Sequence, residues 1–405
     1  MIQRWTDTKR DVALACAFLV LSAALFLLPT GFEDRIAQRA VRCRGRIIAV
    51  DNSAIQQFAM IKSGDQGVTL KLLGGRFKDR IVHANNPLLG QMDRDKLFSV
   101  GDTALVVLSL DENGDITFVN PQAHYRIGLE LWLLALFALA LMLFGGWTGA
   151  KALLSFLFAG LMLWKILLPG LLKGYDPLLL SLLTVALLTA VIIFLVAGLT
   201  RKGVVAFCGA FLGIATSCVL ALYFTRALHV HGAVMPFAET LLYSGFGHLN
   251  LTRIYISAVF LAASGAVMDL AMDVAASMNE VVERKPDISK GELIRSGLRV
   301  GRAVVGTMTT TLLLAYSGGY ITLLMAFMAQ GVPLANLFNL IYVAAEVLKT
   351  LVGSFGLVMV APFTALIGGV VFKAGRHAAA DRIVPVVAVA EGAPLRHLDP
   401  AENNG

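Results

Sequence analysis

Two aspartates, Asp269 and Asp273, stand four residues apart inside the apolar run SGAVMDLAMDVAASMNEV at 264–281. At helical spacing they share one face, joined there by Gly265, Met272, Ala276 and Glu280. A carboxylate turned toward hydrocarbon costs roughly 2.5–3.5 kcal/mol on insertion scales, so this face requires partners, a cation, protons or water. Two neighbouring carboxylates also repel, which favours a shared proton or a bound cation. The chemistry on offer is therefore proton relay or cation binding, and the structural counterpart is a hydrogen-bond anchor between helices. Met268, Met272 and Met278 flank the pair. Thioether with carboxylate makes Asp269, Met272 and Asp273 weak candidate metal ligands, although Met is also ordinary helix filler.

A second constellation is GTMTTTLLLAYSGGY, 306–320. Thr307, Thr310, Thr311 and Ser317 fall on or near one helical face, and Gly306, Gly318 and Gly319 permit close approach by a neighbour. The expected partner is the Asp269 face, through hydroxyl-to-carboxylate hydrogen bonds. A third is Glu346 with Lys349, three residues apart. They can pair with each other, or Lys349 can reach the Asp269 region as a counter-ion. Lys165 sits close enough to a span end to snorkel. His229, His231, Glu239 and His248 are too irregularly spaced to argue a zinc geometry. DENGDI resembles a calcium loop only superficially: Ile116 stands where Gly is needed and Gln122 where a closing Glu is needed, so it reads as a hairpin turn.

The elements that position these residues follow from composition. The chain has 405 residues, 57% hydrophobic and only 15% charged, with a mean hydropathy of +0.74. That is a polytopic α-helical membrane protein, with the lipid bilayer as its first partner. The net charge of +7 does not indicate nucleic acid, because Lys and Arg lie between apolar segments, as the positive-inside rule arranges them. Of the four cysteines only Cys43 lies in a polar region, so no intradomain disulfide forms there.

Residues 1–31 hold a basic stub and a first apolar segment near 11–29, expected to be retained as a helix. Residues 32–126 differ in kind, with strand-like runs (RIIAV, GVTLKLL, DTALVVLSL, DITFV) broken by Gly, Asn and Asp. They predict a small extracytoplasmic β-rich domain of OB or SH3-like barrel type. Within 127–373, apolar spans run near 127–145, 148–170, 177–199, 203–225, 252–278, 304–328 and 352–372. About eight transmembrane helices result, and 334–351 reads as an interfacial or re-entrant amphipathic helix. The loop 279–303 carries Arg284, Lys285, Lys290, Arg295, Arg299 and Arg302, and with Arg201, Lys202, Lys373, Arg376 and Arg382 it places both termini in the cytoplasm. Arg35, Arg39, Arg42, Arg44 and Arg46 of the β domain count less, since long domains translocate largely regardless of charge. The tail 374–405 reads as mostly disordered.

GAVMDLAMDVAASMNEV, then GTMTTTLLLAYSGG, then EVLKTLVGSFGLVMVAPFTAL resemble, in order, blocks of the YibE/F family of bacterial membrane proteins. The resemblance covers nearly the whole chain. It implies a multi-span architecture and a bacterial inner-membrane address rather than an established activity. The chain departs from the family pattern at Thr310, where Asn is common.

The function expected is a transporter or permease of an unknown small solute or ion, coupled to protons or a cation through Asp269, with Asp273, Thr307, Thr310, Thr311, Ser317 and Lys349 around it. No cofactor is expected beyond a bound cation. No Walker motif couples ATP. No half-sized repeat is evident, and homo-oligomerisation could supply symmetry instead. The alternative is a non-transporting scaffold, receptor or assembly factor acting through the β domain. An enzyme is not expected: H-E-x-x-H and G-x-S-x-G are absent, and the two aspartates share one helix.

Overall fold

A computed structural model describes residues 2–35 and 40–380. Arg39, Arg382 and the tail from 381, read above as basic topology markers and a disordered end, lie outside the described residues. The chain forms two compact units, Pro29–Ala150 and Met1–Leu28 with Lys151–Gly405.

The first unit is built on six strands, β1 (Ala40–Asp51), β2 (Ile55–Phe58), β3 (Ile61–Leu72), β4 (Ile81–Leu89), β5 (Thr103–Leu110) and β6 (Ile116–His124). The four strand-like runs of the sequence fall on β1, β3, β5 and β6. All pairings are antiparallel: β1 lies between β3 and β5, β6 pairs β5, and β3 also carries β2 and β4. Alternate residues point inward, as a half-buried pleated strand requires. Ile47, Leu70, Val106 and Leu108 are buried around Phe98 in a single core. Gly45 sits where β1 passes Val106 and Leu70, and a Cβ there would collide with the Val106 side chain. DENGDI closes the β5–β6 hairpin, with the Asp115 N–H donating to Asp111 Oδ1 at 2.7 Å. Among the described residues no ladder joins β4 to β6, so the sheet is a half-barrel with these two edges unpaired.

A buried amide ties this sheet to its longest loop. Gln66 is fully buried, and its Nε2 donates to Asn52 Oδ1 (2.8 Å) and to the Phe98 carbonyl (2.9 Å). Its Oε1 accepts from the Phe98 N–H (3.0 Å) and from Asn86 Nδ2 (3.1 Å). Every polar atom of one side chain is thus used to hold three segments.

The remaining elements are helices: α1 (Ile2–Leu27), α2 (Ile127–Met162), a π-turn (Leu163–Leu167), α3 (Leu168–Leu172), α4 (Pro177–Ala197), α5 (Arg201–Ala227), α6 (Ala238–Tyr243), α7 (Leu251–Arg284), α8 (Lys290–Gly318), α9 (Ile321–Ala329), α10 (Leu334–Asn339) and α11 (Ile341–Ala380). Among the described residues five helical stretches are long and apolar enough to cross a membrane: Ile127–Leu172, Pro177–Ala197, Arg201–Ala227, Leu251–Arg284 and Ile341–Lys373. The bent pair α8–α9 makes a sixth if counted as one, and Val12–Leu27 is a shorter apolar helix. Two expected spans, 127–145 and 148–170, meet at Gly146, whose φ of 52° and ψ of −127° break the helix in a conformation that residues with a side chain rarely adopt.

The sequence reading of 334–351 as one separate helix is corrected. Only Leu334–Asn339 stands apart, while Glu346 and Lys349 belong to the opening turns of α11, a 40-residue helix with Pro362 inside it. The basic segment 279–303 is likewise mostly helix: α7 continues to Arg284 and α8 begins at Lys290 behind a Ser289–Glu292 capping box. Helices α5, α7, α8 and α11 share one apolar core that includes Ile214, Val267, Val274, Met278, Leu312 and Val360.

Two expectations follow for the half-barrel. Gln66→Leu orphans the Phe98 backbone groups and Asn86, which at about 1–3 kcal/mol per buried unpaired group should cost about 3 kcal/mol; the urea midpoint for protease resistance of 29–150 in the purified protein reads this. Glu33 accepts the N–H groups of Thr30 (2.6 Å) and Gly31 (2.8 Å), and the Thr30 amide foremost holds its carboxyl down at about 2. A depressed folded pKa stabilises above the ordinary carboxylate range and is lost on acidification. The contribution of Glu33 should therefore fade between about pH 4.5 and 2, and acid titration of Glu33→Gln should show a shallower fall over that window.

Candidate functional site

Helix α7 is packed on one side and open on the other. Val259, Val267, Ala271, Val274 and Met278 are buried against the core. Ala258, Ala262, Gly265, Asp269, Asp273, Ala276 and Glu280 are exposed. The two aspartates thus lie together on the outward face, as their spacing predicts. Among the described residues no hydrogen bond or ion pair engages either carboxylate. Met268 and Met278 are core residues, and Met272 alone is half-buried beside the pair. Among the described residues no three His, Cys, Asp or Glu are grouped to hold a metal ion, the loop histidines His229, His231 and His248 included.

The hydroxyls of α8 turn to their own helix. Thr307 donates to the Val304 carbonyl (2.9 Å), Thr310 to Gly306 (3.2 Å), Thr311 to Thr307 (3.0 Å) and Ser317 to Leu314 (3.2 Å). None reaches Asp269, so the expected hydroxyl-to-carboxylate bonds are not formed. The reason is local: in a helix a Thr or Ser Oγ always has its own carbonyl three or four residues back.

A second polar place lies where α11, α7 and α8 meet. Lys349 Nζ donates to Glu346 Oε2 at 3.0 Å and Oε1 at 3.3 Å, with both side chains under one-third exposed. The ammonium also stands 5.4 Å from the centre of the Tyr316 ring, within cation–π range. Tyr255 of α7 donates its hydroxyl to the Ala345 carbonyl at 2.6 Å. The Tyr316 hydroxyl and Thr350 Oγ1 are buried and, among the described residues, have no hydrogen-bond partner. Two turns beyond Glu346, Gly353 packs on Ala263 and Tyr316.

These contacts fix the relative heights of the two places. Lys349 lies about 6 Å to one side of the Gly353–Ala263 level and Asp269 about 9 Å to the other, at 1.5 Å per residue. Lys349 is therefore no counter-ion for Asp269; its partner is Glu346, the other pairing that the spacing allows. Sequence reasoning missed Tyr255, Tyr316 and Thr350. Tyr316 was inside the quoted Thr-rich block, but its role depends on α11, which no spacing within that block reveals.

Immediately after Tyr316 the chain breaks. Helix α8 ends at Gly318, and α9 leaves at 64° with no buried residue of its own. Lys165 Nζ donates to the Leu28 carbonyl at 2.7 Å, so its charge is met at the end of α1.

Removing one member of a half-buried ion pair strands the other, whereas removing both does not. Glu346→Gln should lower stability by about 1–2 kcal/mol, and Glu346→Gln/Lys349→Met should recover more than half of that. Thermal melts of the four proteins of this cycle in one detergent give the comparison directly.

Neither the curated proteins nor the solved structures contain a match to this sequence. A family model does match, that of the YibE/F-like protein, over residues 133–374. The matched stretch begins in α2 and ends in α11, so it contains both polar places and leaves α1 and the half-barrel outside. The resemblance is thus narrower than nearly the whole chain. Covering more than half of the sequence, from the first residues of α2 through Asp269, the Thr-rich helix and the Glu346–Lys349 pair, that match places this chain in the YibE/F family.

Proposed function

We propose that the protein is a transporter or permease of the bacterial inner membrane, coupled to protons or a cation, with Asp269 as the central titrating group and Asp273 beside it. The observation that carries this reading is a pair of carboxylates, unpaired among the described residues, on a helix apolar enough to cross a membrane. Ionisable groups in such helices mark ion and proton pathways more often than structure. The chemistry of α8 favours a cation over an anion. Thr307, Thr310, Thr311 and Ser317 give their hydroxyl protons to their own helix and keep oxygen lone pairs for a positive ligand. The α8–α9 break supports the same reading, because interrupted helices line the binding sites of secondary transporters. Lys349, with Glu346, acts as a charge pair on the other level of the pathway.

In this reading about eight spans put both termini in the cytoplasm and the half-barrel outside. Its strand path β4-β3-β1-β5-β6, open between β4 and β6, supports an OB-type reading of the half-barrel.

A second reading, a receptor or assembly factor, is favoured by one observation. The open edges of β4 and β6 line a cleft of about 410 Å³ that includes Arg80, Ile81, His83 and Phe118. There Asp269→Asn would leave function intact and deletion of 32–126 would abolish it.

Thermal shifts of detergent-purified protein across pH, monovalent and divalent cations and pooled metabolites distinguish the two. We expect a proton- or ligand-dependent stabilisation of several degrees that vanishes in Asp269→Asn. Identical profiles for wild type and Asp269→Asn would remove the transport reading and move attention to the half-barrel.

A further inference from the structure

We infer that the outward face of α7, with Asp269 and Asp273 at its centre, is the docking surface for a second copy of this chain. The inference rests on the bilayer embedding proposed above and holds whether or not the protein moves a solute.

The remaining faces of α7 are taken by α4, α5, α8 and α11. The open face cannot be left to lipid. By rise per residue, Asp273 stands about 8 Å and Asp269 about 14 Å inside the span end expected at 278, the latter near the middle of a hydrocarbon core of about 30 Å. A cation or proton would neutralise the carboxylates but would not cover the stripe of Ala258, Ala262, Gly265 and Ala276 that runs past them. That stripe is shallow, and a side chain added at Gly265 would meet nothing within 4 Å. Such faces are what membrane helices present to other helices at close range.

Charge identifies the occupant. Arg299 and Arg302 of α8 are exposed, on the side opposite the buried Gly297 and Gly301, and among the described residues no ion pair engages either. They stand about 14 and 18 Å from the Lys290 end of α8. Helices α7 and α8 are joined at that end by 285–289, so the guanidiniums and the carboxylates lie at matching depth on different outward faces. Rotation about an axis along the bilayer normal preserves depth. The arginines of one copy therefore meet the aspartates of the next at the right level. Each copy supplies what the other lacks, and the contact compensates the two carboxylates, which lipid would tolerate poorly.

The test is cross-linking in native membranes. Met272→Cys in one tagged copy and Ala303→Cys in another lie at the same depth on α7 and α8; both chains carry Cys16→Ala and Cys208→Ala, while Cys43 and Cys218 are buried. Co-expression and a short bis-maleimide should give a band of twice the 43.3 kDa chain carrying both tags. Asp273→Lys should reduce it at least fivefold, and adding Arg302→Glu should restore it. Protein that fractionates as integral yet stays monomeric overturns the inference. So does labelling of the Met272→Cys thiol by a membrane-impermeant maleimide without cross-linking, which would make the face a water-lined path. Equal cross-linking from Leu183→Cys, on the exposed side of α4, would show crowding alone and likewise overturn it. Failure of the protein to fractionate with membranes at all would instead sink the embedding on which the inference rests.

Discussion

The helical unit depends on how closely α11 can approach its neighbours. A Cβ at Gly209 of α5 would collide with Thr364 of α11, one at Gly356 would collide with Ser217 of α5, and one at Gly213 would press tightly on Val360. The same holds against α8, where Gly301 lies on Ala361 and Gly297 on Met278 and Ala365. Backbones thus run at distances that only small residues allow, and dispersion between them replaces the hydrophobic drive that hydrocarbon surroundings cannot supply. Helices α5, α7 and α8 are gathered around α11 by these contacts. It sets which side of α7 is buried, and so which side carries the aspartates.

That dependence explains what the sequence discloses and what it hides. The face of α7 was legible because 3.6-residue periodicity is local: Asp269, Asp273, Ala276 and Glu280 had to fall together. The hairpin at 111–115 and the break at Gly146 were legible for the same reason, since each follows from the residues at that point. Contacts between helices were not. The Thr-rich face of α8 satisfies itself along its own helix, so the inference that polar faces seek each other failed at Thr307 and Thr310. The extent of α11 was obscured because Glu346 and Lys349 interrupt its apolar pattern, yet their mutual ion pair lets the helix continue through them.

The two polar places differ in kind. Glu346 and Lys349 neutralise one another within a turn, beside two tyrosines, and the local net charge is zero. Asp269 and Asp273 add two like charges on a surface with nothing opposite among the described residues. The first arrangement is complete within one chain and the second is not. A single protomer is therefore a finished fold at one level and an unfinished one at the other.

Pro362 gives α11 a mechanical character that its length alone would not. Lacking an N–H, it leaves the Val358 carbonyl without its helical donor, midway between the Gly356 contact with α5 and the Ala365 contact with α8. Bending stiffness is lowest at that turn. Neighbouring helices meet α11 at that very turn, α5 at Val360 and Thr364 and α8 at Ala361, so packing between helices rather than the ladder of α11 itself braces the stretch that links Lys349 to Phe372.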